Sequence, residues 1–392
     1  MDTSALAHPI PVTLLTGFLG SGKTTVLNHL LRHPDLDRTA VIINEFGEIG
    51  LDHELVETST ENMVLLQSGC LCCTIRGDLV HTLHDLFEKR EGGQIAAFDR
   101  VIIETTGLAD PAPILHTLMT DGLLSHEFEL DGVIATVDAT IGSATLDSQV
   151  EAVKQAAVAD RILLTKTDLV DPPALHAIES RLRALNPAAP IIRAYNGAVD
   201  PSHLLDAGLY NPATRSVDVQ NWLKAEAYAE PGHHQDHDHD DHHGHACNHD
   251  GHAHNEHHHH HHHDVNRHDN RISAVACTID DPIPSQVFDR WLETLMAMRG
   301  PDILRMKGIV HVEGTTAPFV LHGVQHVFHP PVSLNDWPGD DRRSKIVIIG
   351  RDLGDDFIKQ SFDYLGAASP DRQDHKHHHH DEAIREDEGA DA

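Results

Sequence analysis

The sequence predicts a doubly wound α/β domain with a mainly parallel sheet, followed by a smaller C-terminal α+β domain. Short apolar runs alternate with helix-like segments between Ile10 and Tyr195. A second set of strands, with one helix, lies between Arg271 and Ile349. Between the two sets, a His- and Asp-rich stretch contains almost nothing apolar, so we expect a disordered linker there.

The first domain is predicted from six apolar runs that are β-branched or Leu-rich throughout, as in a parallel sheet covered on both faces. The predicted strands are Val12–Thr16, Ala40–Asn44, Val101–Glu104, Gly132–Val137, Ile162–Thr165 and Ile191–Ala194. The predicted helices are Thr24–Arg32, Gly77–Glu91, Pro111–Met119, Ser148–Ala159 and Pro173–Leu185. Strands and helices that alternate in this way indicate a doubly wound sheet.

The second domain is predicted from shorter segments. Its predicted strands are Arg271–Ile279, Ile309–Val312, Phe319–Leu321 and Lys345–Ile349, and its predicted helix is Ile283–Met298. We therefore expect domains over residues 8–228 and 271–367, the linker over residues 229–270, and an acidic, His-containing disordered tail over residues 368–392.

Composition excludes several classes of protein. The chain has 392 residues, and its 61 acidic residues against 29 basic ones give a net charge of −32, which would repel nucleic acid and anionic membranes. It shows neither a signal peptide nor an apolar run long enough to span a membrane. Three of its five cysteines lie within four positions, which does not fit a disulfide framework. We expect a reduced, cytoplasmic protein.

A phosphate-binding motif follows the first strand. The residues Gly17-Phe18-Leu19-Gly20-Ser21-Gly22-Lys23-Thr24, followed by Thr25 and a helix, form the P-loop pattern in its required context. Backbone N–H groups of such a loop surround phosphate, and the helix N-terminus adds partial positive charge. We expect a P-loop NTPase in which Gly17, Gly20, Ser21, Gly22, Lys23, Thr24 and Thr25 bind nucleotide. Lys23 would reach the β- and γ-phosphates, and Thr24 would ligate Mg²⁺.

The strand that ends at Thr165 carries a candidate base-recognition motif, Thr165-Lys166-Thr167-Asp168. The Asp168 carboxylate can accept hydrogen bonds from both guanine N1–H and the exocyclic amine, and the Lys166 stem can lie along the base. Because adenine lacks these two donors, the motif favours GTP. The alternative is an ordinary strand-to-helix turn capped by Asp168.

Two further strand ends complete the predicted site. Glu104, in Glu104-Thr105-Thr106-Gly107, can hold Mg²⁺ through water or orient the attacking water, and the Gly107 N–H can contact the γ-phosphate. Lys23, Glu104 and Gly107 are therefore the predicted catalytic residues. Glu45, in Asn44-Glu45-Phe46-Gly47, is a switch candidate that would contact the nucleotide. The alternative for Glu104 is an ordinary charge at a strand end.

Cys70, Cys72 and Cys73 form a candidate metal site. Three thiolates suit Zn²⁺ or Cu(I), with a fourth ligand supplied from elsewhere or by a partner. The alternatives are a redox pair or buried small side chains. Seventeen of the 37 histidines lie between His233 and His263, where imidazoles interleaved with carboxylates would bind Zn²⁺, Ni²⁺ or Co²⁺ loosely.

Together these motifs resemble those of the CobW-type metallochaperone GTPases, relatives of the nickel-insertion GTPases of urease and hydrogenase maturation. The matching segments are Gly17–Thr25, Asn44–Gly47, Cys70–Cys73, Glu104–Gly107, Thr165–Asp168, Trp291, Arg305–Gly308, Trp337 and Val347–Gly350. The resemblance implies slow, metal-regulated GTP hydrolysis coupled to metal delivery. It also implies a client metalloprotein as partner and leaves a nucleotide-dependent homodimer open.

The thiols favour zinc delivery in zinc homeostasis over the first alternative, cobalt supply for cobalamin biosynthesis. A P-loop small-molecule kinase is a second alternative, although it has no need for Lys166 and Asp168. A passive metal buffer is the third, and it would leave the P-loop unused.

Overall fold

The computed structural model describes residues 9–44, 64–68, 75–205, 272–328, 331–334, 336–337, 340–353 and 356–367. The described residues form a seven-stranded sheet and a separate C-terminal sheet, which confirms the predicted fold class. The predicted linker and tail lie outside the described residues, so the domain boundaries stay predictions. None of the described helices is both long and apolar enough to cross a membrane.

The first sheet is parallel throughout, in the order β3-β2-β4-β1-β5-β6-β7. Its strands are β1 (Ile10–Gly17), β2 (Thr39–Asn44), β3 (Val64–Ser68), β4 (Arg100–Glu104), β5 (Phe128–Asp138), β6 (Arg161–Thr165) and β7 (Ile191–Arg193). Six of the seven match predicted strands, and β3 was not predicted. The carboxyl ends of parallel strands share one edge, where ligands bind in such folds.

Helices cover this sheet on both faces. They are α1 (Lys23–Leu31), α2 (Ile75–Glu91), α3 (Ala112–Thr120), α4 (Leu124–Glu127), α5 (Gly142–Ser148), α6 (Val150–Val158) and α7 (Pro172–Leu185). Leu27 of α1 packs on one face, while Leu83 of α2, Leu115 of α3 and Leu182 of α7 pack on the other. Burial on both faces explains why the strands are apolar throughout.

The C-terminal sheet is antiparallel, in the order β11-β10-β9-β13-β8, with β12 beside β10. Its elements are β8 (Ile272–Ile279), α8 (Ser285–Arg299), β9 (Ile303–Val310), β10 (Phe319–Val324), β11 (Val327–Phe328), β12 (Val332–Ser333), β13 (Ser344–Arg351) and α9 (Asp356–Ala367). Trp291 of α8 stacks on Phe362 of α9 over one face, with ring centroids 5.9 Å apart.

The other face of the C-terminal sheet lies against the first domain. Helix α3 contacts β10 and β11, α6 contacts β9 and β13, and α7 contacts β8. Leu304, Val347 and Ile349 of this face belong to the same apolar core as α2, α3 and α7. The two sheets therefore share one continuous core.

Candidate nucleotide site

A cavity of about 350 Å³ opens at the carboxyl edge of the parallel sheet. Most of the predicted nucleotide-binding and catalytic residues meet there. The cavity is lined by Gly20, Gly22, Lys23, Thr24, Thr25, Ile43, Glu104, Thr105, Thr106, Gly107 and Lys166. Gly17, Ser21 and Asp168 lie outside this lining, and Glu45 lies outside the described residues.

The phosphate loop is held in shape by close contacts with β5. Gly17 has a φ of 142°, and a Cβ on it would lie 2.1 Å from the Thr136 hydroxyl oxygen, so only glycine fits. The Ser21 hydroxyl lies 2.6 Å from the same Thr136 oxygen. Gly17 and Ser21 therefore hold the loop against β5. The Lys23 ammonium, which lines the cavity, donates to the Gly17 carbonyl at 2.9 Å.

Thr24 and Glu104 meet across the cavity. The Thr24 hydroxyl, on the first turn of α1, donates to Glu104 Oε1 at 3.0 Å. Glu104 ends β4 and is only 5% exposed. A hydroxyl and a carboxylate side by side are the hard oxygen ligands that Mg²⁺ prefers. This donor pair therefore fits the predicted ion.

Lys166 is fixed between the phosphate loop and a buried carboxylate. Its ammonium donates to the Gly20 carbonyl at 2.9 Å and to Asp138 Oδ2 at 2.6 Å. The backbone of Lys166 has a φ of 55°, a left-handed conformation that is unfavourable for a residue with a side chain. Burial acts to raise the pKa of the Asp138 carboxyl, but hydrogen bonds from Lys166 and Thr140 outweigh it, and the pKa is lowered. Asp138 is therefore an anion that holds Lys166.

Thr165 joins the base-recognition turn to the phosphate loop. Its hydroxyl donates to the Ser21 carbonyl at 2.7 Å and to the Val137 carbonyl at 3.2 Å. Asp168 follows on a short 3₁₀ helix, Thr167–Leu169, and is exposed to solvent. Its carboxylate is therefore accessible to a ligand.

The turn after β4 lies directly on the phosphate loop. A Cβ on Gly107 would lie 2.6 Å from the backbone nitrogen of Leu19, so only glycine permits this approach. The Gln155 amide of α6 donates to the Gly107 carbonyl at 3.1 Å and to the Ala109 carbonyl at 2.9 Å. The position of Gly107 is therefore set from both sides.

Sequence reasoning missed two residues of this site, Asp138 and Gln155. Asp138 ends an apolar strand, as Glu104 does, and that position could have identified it. Gln155 is a single amide among the buried residues Ala152, Val153, Ala156 and Ala157. A polar side chain within an apolar helix face was the available indication.

The predicted thiol site lies outside the described residues. Cys70, Cys72 and Cys73 follow β3, which ends at Ser68, and precede α2, which begins at Ile75. Within the part of the chain that the structure describes, no group of three His, Cys, Asp or Glu side chains could hold a metal ion. Zinc binding at the thiols therefore stays a prediction.

The parallel sheet, the phosphate loop and the strand-end motifs define a P-loop GTPase. Residues 11–193 match the CobW/HypB/UreG nucleotide-binding domain, and residues 272–365 match the cobalamin synthesis protein CobW C-terminal domain. The chain belongs to the CobW family.

Similar proteins align with nearly the whole chain. The zinc chaperone YjiA of Escherichia coli is 31% identical over 359 residues, which are 91% of this chain and 98% of that protein. The zinc chaperone CobW of a Sinorhizobium species is 29% identical over 87% of this chain and 92% of its own length. The crystal structure of Zn(II)-bound YjiA GTPase superposes with a TM-score of 0.63 at 28% identity, covering 92% of this chain and 99% of that one.

Proposed function

We propose that this GTPase binds Zn²⁺ through Cys70, Cys72 and Cys73 and transfers it to a client metalloprotein in the cytoplasm. GTP hydrolysis would drive release of the metal. Two relatives that match along almost their full length are named zinc chaperones, and one was crystallised with Zn(II). Three soft thiolates are suited to the same ion.

The phosphate end of the cavity supports hydrolysis. In the proposed reaction Lys23 would contact the β- and γ-phosphates. The Thr24 hydroxyl and the Glu104 carboxylate, which lie 3.0 Å apart, would hold Mg²⁺. The bound ion would neutralise charge that develops on the phosphate oxygens. The Gly107 N–H would contact the γ-phosphate, so this turn would relax after cleavage.

The base end supports a preference for guanine. Asp168 would accept two hydrogen bonds from guanine, with the Lys166 stem along the base. Asp138 and the Gly20 carbonyl hold the Lys166 ammonium in place for this role. We also propose that Thr165 keeps the base motif in register with the phosphate loop through its bond to Ser21.

The observation that carries the coupling of nucleotide to metal is the packing of α2 against α3. Helix α3 begins five residues after Gly107, and α2 begins two residues after Cys73. Leu79 and Leu83 of α2 share a buried core with Leu115 and Leu118 of α3. A displacement of the Gly107 turn would therefore reach the thiols through two packed helices.

Zinc affinity in the two nucleotide states tests this proposal. The full-length protein is titrated with Zn²⁺ against a chromophoric chelator, once with a non-hydrolysable GTP analogue and once with GDP. Coupling free energies between two sites are typically about 1–3 kcal/mol, so we expect affinities that differ by at least about fivefold. Equal affinities would contradict the proposal. The same titration with Co²⁺ tests the cobalt alternative, for which the larger nucleotide effect would be on Co²⁺.

Two cysteine variants assign the effect to the thiol site. Cys72→Ser should remove the tight zinc site, whereas Cys277→Ser should retain it. Cys277 is a suitable control because burial raises the pKa of its thiol to about 12, which keeps it protonated. Lys23→Ala should bind Zn²⁺ but lose the nucleotide effect. The passive metal buffer predicts instead that zinc affinity ignores nucleotide in the wild-type protein and in Lys23→Ala alike.

A further inference from the structure

Helix α6 (Val150–Val158) contacts the turn that contains Gly107 through two side chains. Gln155 donates hydrogen bonds to the Gly107 and Ala109 carbonyls. The neighbouring Lys154 forms an ion pair with Asp110 at 2.6 Å. Two adjacent residues of one helix thus hold both halves of the turn that would sense the γ-phosphate.

The Gln155 side chain is a polar group buried in an apolar helix face, and in the part of the chain that the structure describes only its amide NH₂ has hydrogen-bond partners. Its side chain is only 1% exposed, and its amide oxygen has no hydrogen-bond partner among the described residues. A buried amide that is only half satisfied destabilises a fold relative to an apolar side chain of similar size. The two hydrogen bonds to the Gly107 turn are what a glutamine supplies at this position and an apolar side chain would not.

The last turn of α6 is fixed to the C-terminal sheet. Arg305 of β9 donates to the carbonyl of Val158, the last residue of the helix, and pairs with Asp160 at 2.5 Å. Lys307 of the same strand also pairs with Asp160. Asp160 and Arg305 are only 2% and 3% exposed, so the contact is shielded from water.

Asn186 also fixes this end of the helix. Its side-chain amide donates to the carbonyls of Ala156, Ala157 and Ala159 at 2.9, 3.1 and 2.9 Å. Gln155 and Val158 are three residues apart on α6, which is less than one full turn, or about 4.5 Å along the helix axis. Over so short a hydrogen-bonded segment the helix is rigid, so the two contacts shift together.

We propose that Gln155 is a positioning residue for GTP hydrolysis, and that α6 couples the Gly107 turn to the C-terminal sheet through Asp160, Arg305 and Lys307. The inference rests on the proposed role of Gly107 in hydrolysis. A macromolecule that shifts the C-terminal sheet on α6 would change the turnover number. GTP and that partner would alter each other's affinity by the same factor.

The first test separates positioning from binding. Gln155→Met retains the volume of the side chain but removes both hydrogen bonds. In the full-length protein we expect kcat for GTP to fall by about tenfold, which corresponds to about 1.4 kcal/mol. GDP lacks the γ-phosphate, so its Kd should stay within about twofold of the wild-type value. Gln149→Met, at the half-exposed start of the same helix, is the control and should leave both values unchanged.

The second test is made in the other domain. Lys307→Met should lower kcat by about threefold without changing the Kd of GDP. Lys345→Met is the matched control, because the two lysines lie in the same sheet and are 18% and 19% exposed. Lys345 pairs with Asp341 within its own domain, so its loss should leave kcat unchanged.

The double variant Gln155→Met/Lys307→Met should be no slower than Gln155→Met alone, since both changes act along one path. Additive losses, or a Lys307→Met variant as active as Lys345→Met, would overturn the coupling. A Gln155→Met variant that raises KM and leaves kcat unchanged would overturn the positioning role. These outcomes differ from failure of the proposed function, in which the wild-type protein hydrolyses GTP with no dependence of zinc affinity on nucleotide.

Discussion

Replacing Asp160 by asparagine should strongly destabilise the contact between the two domains. Both carboxylate oxygens are in use: Oδ2 accepts the Val133 N–H at 2.9 Å, and Oδ1 receives Arg305 at 2.5 Å together with Lys307. An asparagine offers one acceptor oxygen and one NH₂ donor. Whichever way it turns, a donor faces either the Val133 N–H or the two cations.

The size of the effect follows from burial. Arg305 is 3% exposed, and removing the partner of a buried charge typically costs about 3–5 kcal/mol. Lys307 is 18% exposed and can reach water, so we expect the lower end of that range, about 3 kcal/mol. The exposed pair Arg38–Asp99, with side chains 55% and 59% exposed, gives the comparison. Asp99→Asn should cost less than about 1 kcal/mol.

Urea denaturation followed by tryptophan fluorescence measures this difference. Trp291 and Trp337 both lie in the C-terminal domain, and Trp222→Phe in every variant removes the third tryptophan from the signal. The free energy of unfolding should fall for Asp160→Asn and stay nearly constant for Asp99→Asn. Equal losses in the two variants would refute the argument from burial.

The pH dependence gives a second check on Asp160. Burial acts to raise the pKa of its carboxyl, but Arg305 and Lys307 outweigh burial and lower it below the unfolded value of about 3.9. A lowered pKa means that the carboxylate contributes stability above the unfolded value and loses it as the pH falls below. The difference between wild type and Asp160→Asn should therefore be constant near neutral pH and shrink below about pH 4.

Three further predictions concern the nucleotide site. Asp168→Asn should weaken GTP binding by about a hundredfold and improve binding of xanthosine triphosphate, because the C2 carbonyl of xanthine accepts a hydrogen bond from the new amide. Equal losses for both nucleotides in a competition assay would contradict this prediction. Asp138→Asn should release Lys166 and weaken GTP and GDP about tenfold with kcat unchanged, and an altered kcat would contradict it. Gly107→Ala must push the turn off Leu19, so single-turnover hydrolysis should fall at least about tenfold while GDP affinity is retained.

Most elements of the parallel sheet could be predicted because their strands are buried on both faces. β5 is longer than predicted, Phe128–Asp138 in place of Gly132–Val137. Asp131 interrupts the apolar pattern, but in the fold Thr13 and Arg100 satisfy its carboxylate at 2.7 and 2.5 Å. These partners are 118 and 31 residues away, so no local pattern reveals them.

Helices α5 and α9 were not predicted, for two different reasons. Helix α5 (Gly142–Ser148) buries only Gly142 and Leu146, which is too little to give a helical period. Helix α9 buries Ile358, Phe362 and Leu365 at helical spacing, so its amphipathic pattern is present in the sequence.

Sequence motifs identified the residues that line the cavity but not those that hold them. Lys23, Thr24, Glu104 and Lys166 could be found because phosphate and base chemistry requires those residue types at fixed offsets from strand ends. Asp138 and Gln155 act on Lys166 and Gly107 through contacts that exist only once β5, β6 and α6 have packed. Contacts of this kind depend on tertiary structure.

The continuous core has a practical consequence for work on fragments. The C-terminal sheet buries Leu304, Val347 and Ile349 against helices that precede residue 205. Separating the two domains would therefore expose a hydrophobic patch on each. Either fragment expressed alone should aggregate unless its newly exposed surface is redesigned. Mixing the two fragments should restore a soluble complex. For this chain, truncation is a poor route to a simpler enzyme.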